Sequence, residues 1–227
     1  MSTTQFHRAR SPEAKREREI AIIDAARRLA TERGVRAVTL TDIAGEVGMH
    51  KSAMLRYFET REQIFLQLNV EALREWSAAM RSQLEVLPAW RESDPDVNGR
   101  CEAIAAIIAA SLVSRPLLCD LTAHTPLNLE RNVSLESVRS FKLVALEELS
   151  SISDAVRELL PLDPTQVANV LTTATSMAGA LWQMAALGTE LRRLYESDPA
   201  LSHAVVDAGP QLSHILAGLL RGYALAR

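Results

Sequence analysis

Lys51, Ser52 and Arg56 fall within six residues of one another, with His50 before them and Tyr57 and Arg61 just beyond. Two cations and a short hydroxyl can donate hydrogen bonds to phosphate oxygens or to the acceptor edge of guanine. Thr39 and Thr41 upstream add donors of the same kind, and Arg61 stands where a helix start would favour an anion. These residues form the one set in the chain to which chemical roles can be given. There is no phosphate-binding glycine loop, His-Glu-x-x-His, serine elbow or Gly-rich dinucleotide turn, so the chain is not expected to be an enzyme. Cys119, Asp120 and His124 are close enough in sequence to share a metal ion, but structural zinc takes four Cys or His ligands. A buried thiol beside a capping or core histidine is the plainer reading, and no metal or cofactor is expected.

The elements that must position the cationic set are two short helices joined at a glycine. Thr39 and Asp42 imitate a capping box, which starts a helix near Leu40 that runs through Ile43, Ala44 and Val47. Gly48 ends it, because a residue without a Cβ takes the left-handed conformation that a tight interhelical turn requires. A second helix is expected over 51–58. Met54, Tyr57 and Phe58 share one of its faces and pack on Ile43, Val47 and Met49; Lys51, Ser52, Leu55 and Arg56 share the other. Such a pair is a helix-turn-helix, in which the second helix enters the DNA major groove.

Residues 22–65 resemble the amino-terminal domain of the TetR family of bacterial transcriptional regulators. The Ile22-Ile23-x-Ala25-Ala26 run, Gly34, Thr39, Ile43-Ala44, Gly48, Tyr57-Phe58 and Arg61-Glu62 carry the resemblance. The family's recognition helix commonly opens Ser-x-Gly-Thr-Leu-Tyr, where this chain has His50-Lys51-Ser52-Ala53-Met54-Leu55. Leu55 thus stands in place of a tyrosine that often binds phosphate in relatives. His50 replaces a capping serine or threonine, and its ring can reach a base or phosphate or cover the turn.

The resemblance implies a homodimeric repressor that binds a near-palindromic double-stranded operator and is released by a small-molecule effector. A DNA-binding regulator without an effector, and an enzyme built on a helical bundle, are the alternatives. The net charge is −3, yet residues 1–70 hold 12 Lys and Arg against 9 Asp and Glu, a net of +3 that leaves −6 for residues 71–227. A basic head on an acidic body suits a protein that presents one end to phosphates.

An all-α fold in three parts is expected: a flexible arm at 1–11, a DNA-binding domain at 12–60, and a ligand-binding and dimerisation domain at 61–227. In the arm, His7, Arg8 and Arg10 can enter a minor groove or form a solvated tail. A first helix runs from Pro12 to Arg33. Thr60 and Gln63 start a long helix at Arg61 whose apolar stripe continues to Leu84 and Leu87, ended by Pro88. The segment 88–99 reads as a loop, 101–113 as a helix apolar nearly all round, and 117–121 as a short piece broken at Thr125-Pro126. An amphipathic helix follows over 134–160. Asp163, Pro164 and Gln166 open an uncharged helix reaching toward Thr189, too polar for a membrane span, and the last helix starts near Pro210.

Phe141, Thr173, Ser176, Met177, Trp182, Gln183 and Met184 are the candidate lining of a ligand pocket in this body, apolar with a few polar groups. Ala174, Ala178, Leu181 and Ala185 form a small-residue stripe which, paired with Leu212, Leu216 and Leu219 of the last helix, predicts a twofold four-helix interface. Two cysteines and no recognisable signal peptide lead to the expectation of a cytoplasmic protein with reduced thiols.

Overall fold

A proline at the head of a helix forfeits only an N–H that has no intrahelical partner there, and Pro12 accordingly opens the first helix, α1 (Pro12–Arg33). A computed structural model of the chain describes residues 12–91 and 96–226, so the expected arm lies outside the described residues. Ile22, Ile23, Ala26, Leu29 and Ala30 form the buried face of α1. A 3₁₀ turn (Val35–Ala37) leads into α2 (Leu40–Glu46), which has the expected box: Asp42 N–H donates to Thr39 Oγ1 and Thr39 N–H to Asp42 Oδ2. Gly48 makes the turn at φ +65°. The next helix, α3 (Lys51–Met54), is shorter than the expected 51–58. Beyond Met54 the Arg56 and Tyr57 N–H groups bond only three residues back, so the last turn tightens instead of continuing as α-helix. Its faces are nevertheless as expected: Met54 and Phe58 are buried, and Leu55 is 52% exposed.

Thr60 caps α4 (Arg61–Glu85) by accepting from Gln63 N–H at 3.1 Å. At 1.5 Å per residue the helix is about 37 Å long. Trp76, fully buried near its middle, donates to Ser111 Oγ at 2.9 Å on the helix beside it, α5 (Val97–Val113). This helix begins four residues before the expected Cys101, because the Asp96 carboxylate accepts from Gly99 N–H at 2.7 Å.

The helix α6 (Pro116–His124) is longer than the expected 117–121, and Thr125-Pro126 does not break the chain's turning. It widens into one π-helical turn (Thr125–Leu129), followed by a 3₁₀ turn (Glu130–Asn132). The Leu121 carbonyl left over there is taken by Thr125 Oγ1 at 2.8 Å, and that hydroxyl accepts from Asn69 Nδ2 of α4 at 2.9 Å. There follow α7 (Leu135–Arg157), α8 (Pro164–Ala185), α9 (Glu190–Ser197), a 3₁₀ turn (Pro199–Ala204) and α10 (Ala208–Leu225). The Asp163–Gln166 box starts α8 as expected. By contrast, α9 was not expected, although Leu191, Leu194 and Tyr195 stand at helical spacing, and it buries none of its residues.

The long helix α4 runs through the middle, against α1, α5, α6 and α7, while α8 packs on α5, α6, α7 and α10. One continuous core joins Ile22 of α1 to Ala224 of α10. The architecture is all-α, and no strand occurs among the described residues. Helix α8 crosses α6 very closely at Gly179, where an added Cβ would lie 2.9 Å from the Ala123 nitrogen and 3.2 Å from the Cys119 carbonyl oxygen. No single described helix is long and apolar enough to cross a membrane, and the uncharged stretch from Pro164 is a helix of this bundle.

That bundle corrects the expected dimer stripe. Ala174, Ala178, Leu181 and Ala185 of α8, with Leu212 and Leu216 of α10, are all buried inside the chain itself. Their small side chains do permit close helix approach, but to helices of the same chain. Leu219 is half-buried.

Candidate nucleic-acid interface and its attachment to the body

Several head arginines are spoken for. Arg27 meets Glu71 at 2.8 Å and Glu75 at 3.3 Å, Arg28 meets Glu46 at 3.1 Å, and Arg33 lies 3.7 Å from Asp42. Lys51 and Arg56 on α3 are exposed and form no ion pair among the described residues. They flank the exposed Leu55 on the face away from buried Met54 and Phe58, so their charge is available to an external anion. His50 is the cap of α3: its Nδ1 accepts from Ser52 N–H at 3.3 Å and lies 2.8 Å from Ser52 Oγ. Through Nδ1 the exposed ring covers the turn and engages the hydroxyl of Ser52.

The threonines divide. Thr39 Oγ1 donates to Asp42 Oδ2 at 2.5 Å and its N–H donates to the same oxygen at 2.8 Å, leaving Thr39 no donor for a phosphate. These two bonds, the hydroxyl's first, hold the Asp42 carboxyl below the usual carboxylate range, with Arg33 adding to the effect. Thr41 is exposed. Tyr57 is half-buried against the head's core.

Arg61 is a correction. It was expected at a phosphate, but its side chain is only 15% exposed and turns inward across the Phe65 ring, 4.5 Å from the centroid. Nε donates to the Val38 carbonyl, Nη2 to the Val35 carbonyl, and Nη1 lies 3.0 Å from Glu62. The first helical residue of α4 is thereby fastened to the turn that precedes α2.

The opposite side of the same peptide group series is held from the body. Val35 N–H donates to Asp120 Oδ2 of α6 at 2.6 Å, in a buried contact. The other Asp120 oxygen accepts from Gln183 Nε2 of α8 at 2.7 Å and lies 3.4 Å from His124 Nε2. Val35 is therefore gripped by α4 through its carbonyl and by α6 through its N–H. Sequence reasoning missed Asp120 because it met that residue as a possible metal ligand; a carboxylate on an otherwise apolar helix was the only available signal.

A second fastening lies on the far side. Glu59 Oε1, between α3 and α4, accepts from Ser134 N–H at 2.8 Å and Ser137 Oγ at 2.9 Å at the start of α7. Gln63 Nε2 donates to the same Ser137 hydroxyl at 3.1 Å. The Ser134 backbone bond, then the two serine hydroxyls, hold the Glu59 carboxyl below its ordinary range.

The seven expected pocket residues are not brought together. Phe141 lies in a cleft of about 480 Å³ between α4 and α7, with Gln63, Leu66, Val70 and Ser137. Trp182 and Gln183 line another, of about 710 Å³, between the end of α1 and the α6–α8 face. Thr173, Ser176, Met177 and Met184 line neither; Ser176 and Met184 face solvent, and Thr173 and Met177 are half-buried. Cys119 turns away from His124: its buried thiol donates to the Leu112 carbonyl at 3.3 Å, and burial, followed by the Asp120 charge, pushes its pKa up to about 12.

Two family models match the chain. The model for bacterial regulatory proteins of the tetR family covers residues 22–68, and that for the tetracyclin repressor-like C-terminal domain covers residues 70–227. Nothing among curated proteins matches. Among solved structures, the fatty acid degradation regulator FadR from Bacillus halodurans is similar, with a TM-score of 0.53 at 18% identity over 88% of this chain and 94% of that one. FadR from Bacillus subtilis in complex with stearoyl-CoA gives 0.50 at 18% identity over 88% and 96%. RolR in complex with resorcinol gives 0.51 at 15% identity over 91% and 96%. At these identities the likeness is one of fold.

Proposed function

The chain belongs to the TetR family of bacterial regulatory proteins, and on that premise we propose that it is a cytoplasmic, sequence-specific DNA-binding regulator. It acts as a homodimeric repressor released from a near-palindromic operator by a small molecule. The observation that carries the DNA-binding part is the state of α3: Lys51 and Arg56 are exposed and form no ion pair among the described residues, while Arg27 and Arg28 of the head are held by carboxylates. Lys51, Arg56 and the outward Leu55 enter the major groove, and Thr41 donates to a flanking phosphate. The small-molecule part draws on relatives crystallised with stearoyl-CoA and with resorcinol.

Dimerisation uses the outward faces of α8 and α10 rather than their buried stripes. Ala168, Thr172, Ser176 and Ala180 are exposed in a row on α8. On α10, Gly218 and Gly222 have nothing within 4 Å of an added Cβ. Small side chains on both helices allow the close approach of an isologous four-helix contact. It sets the two α3 helices about 34–36 Å apart, one turn of DNA.

The test is selection of duplexes from a random pool by the purified chain, followed by affinity measurements across a salt series. The Lys51→Ala/Arg56→Ala variant is expected to lose about tenfold or more, at 1–3 kcal/mol per base contact. Where a lost contact was to phosphate, the salt slope falls by about one. A pool that yields no preferred sequence, or a double variant that binds as the wild type does, overturns the reading.

A further inference from the structure

Gln183 and Asp120, whose hydrogen bond continues to the Val35 N–H behind them, line the 710 Å³ cleft, whose volume falls within the range of small-molecule sites. One wall belongs to the head, residues 30–36; the other belongs to the body. The body wall is apolar: Leu117 and Trp182 are half-buried, and Leu187 and Leu191 are 57% and 47% exposed at the mouth. Trp182 and Leu187 also line the adjoining cleft toward residues 205–210, so the apolar wall continues past the tryptophan.

The charges are at the head end. Both Asp120 oxygens already accept within the protein, so this carboxylate adds its charge to the lining without an ion pair to Arg33 or Arg36, which stand at the head end beside Glu32. Arg36 is exposed and forms no ion pair among the described residues, and the Arg33–Asp42 contact is long at 3.7 Å. An apolar wall beside two underused guanidinium groups suits one kind of occupant.

We propose that this head–body cleft is an effector site for a small amphipathic monocarboxylate, its carboxylate on Arg33 and Arg36 and its apolar body on Leu117, Trp182 and Leu187. This deepens the regulator reading above and rests on it for the consequence of binding. An occupant lies between the last turn of α1 and Gln183, the residue that holds Asp120 against Val35. Seating the acid displaces that amide, and with it the grip of α6 on the turn before α2. The pose of α3 on DNA then changes, and operator and acid oppose each other by the same factor.

Three acids serve as probes: 1-naphthoate, 4-phenylbutyrate and decanoate, with 1-naphthalenemethanol as the uncharged control. Their binding to the full chain is measured by calorimetry without DNA. At least one acid is expected to bind with a Kd below about 1 mM. Arg33→Ala/Arg36→Ala is expected to weaken it about tenfold or more, with the uncharged control unaffected. Leu191→Glu, an exposed change at the mouth, weakens the acids by repulsion and leaves thermal unfolding unchanged. If none of the acids binds, or if both variants bind them as the wild type does, the site is overturned. With a selected operator, saturating acid lowers DNA affinity about fivefold or more, and an unchanged DNA affinity overturns the effector role. Because acid binding is read on the free chain, binding without any DNA affinity would keep the site and remove the regulator reading, whereas DNA binding without acid binding removes the site alone.

Discussion

Val35 buries its side chain in the core and serves the junction through its backbone: its N–H is held by Asp120 and its carbonyl by Arg61. Removing either partner strands a backbone group in a buried place, which costs about 1–3 kcal/mol. Asp120→Asn should therefore lower the denaturant midpoint at unchanged slope, because one amide oxygen cannot serve both Val35 and Gln183. Arg61→Lys should do the same, since an ammonium on a flexible stem cannot span the Val35 and Val38 carbonyls as the planar fork does. A salt series separates this structural role from DNA contact. The slope of log affinity against log salt should be the same in Arg61→Gln, which removes the charge, as in the wild type; a slope smaller by about one would put Arg61 on a phosphate after all.

Helix crossings and caps decide the next level. Alanine normally favours a helix interior over glycine by about 1 kcal/mol, but at Gly179 the added methyl meets α6 backbone at 2.9 Å. Gly179→Ala is thus expected to destabilise by roughly 1–3 kcal/mol as α8 and α6 are forced apart, a fall of about 2–4 °C in Tm per kcal/mol for a chain of this size. Two exposed caps give a pH signature. The carboxyls of Asp42 and Glu59 titrate lower in the folded chain than in the unfolded one, so the unfolded state takes up protons first. Their contribution is fully present above the ordinary carboxylate pKa values of about 3.9–4.3 and is lost as pH falls through the lower folded values. The double variant Asp42→Asn/Glu59→Gln should show a smaller loss of urea midpoint on acidification than the wild type. Parallel pH profiles would mean that the caps do not couple to folding.

For the molecule as a whole, the question is which surfaces remain once the chain has folded. The buried alanines of α8 cannot report on assembly, because a charge at Ala178 would disrupt the chain's own core. Ala180 is exposed, and Gly218 has open space around it, so Ala180→Arg and Gly218→Arg test association without touching the fold. Both should sediment as monomers at micromolar concentration with far-ultraviolet circular dichroism unchanged, and both should lose most of their operator affinity because two half-sites are no longer read together. A wild-type chain that is itself monomeric would exclude the twofold arrangement.

What the sequence determined by itself was local. Thr39–Asp42, Thr60–Gln63 and Asp163–Gln166 each satisfy orphan N–H groups within one helical turn, so their meaning is contained in a few adjacent residues. The exposure of Lys51, Leu55 and Arg56 opposite Met54 and Phe58 likewise follows from 3.6-residue spacing once one apolar face is present. What the tertiary structure decided was everything that depends on a partner far away in the chain. Helix α8 carries two rows of small residues, and the row that packs inward is the one met by α5, α6, α7 and α10, opposite the exposed Asn169, Thr172 and Ser176. The same holds for Arg61 and Asp120. Both are charged residues whose types suggest solvent, DNA or metal, and both turn inward because the Val35 peptide, 26 and 85 residues away, offers a carbonyl and an N–H that nothing nearer satisfies.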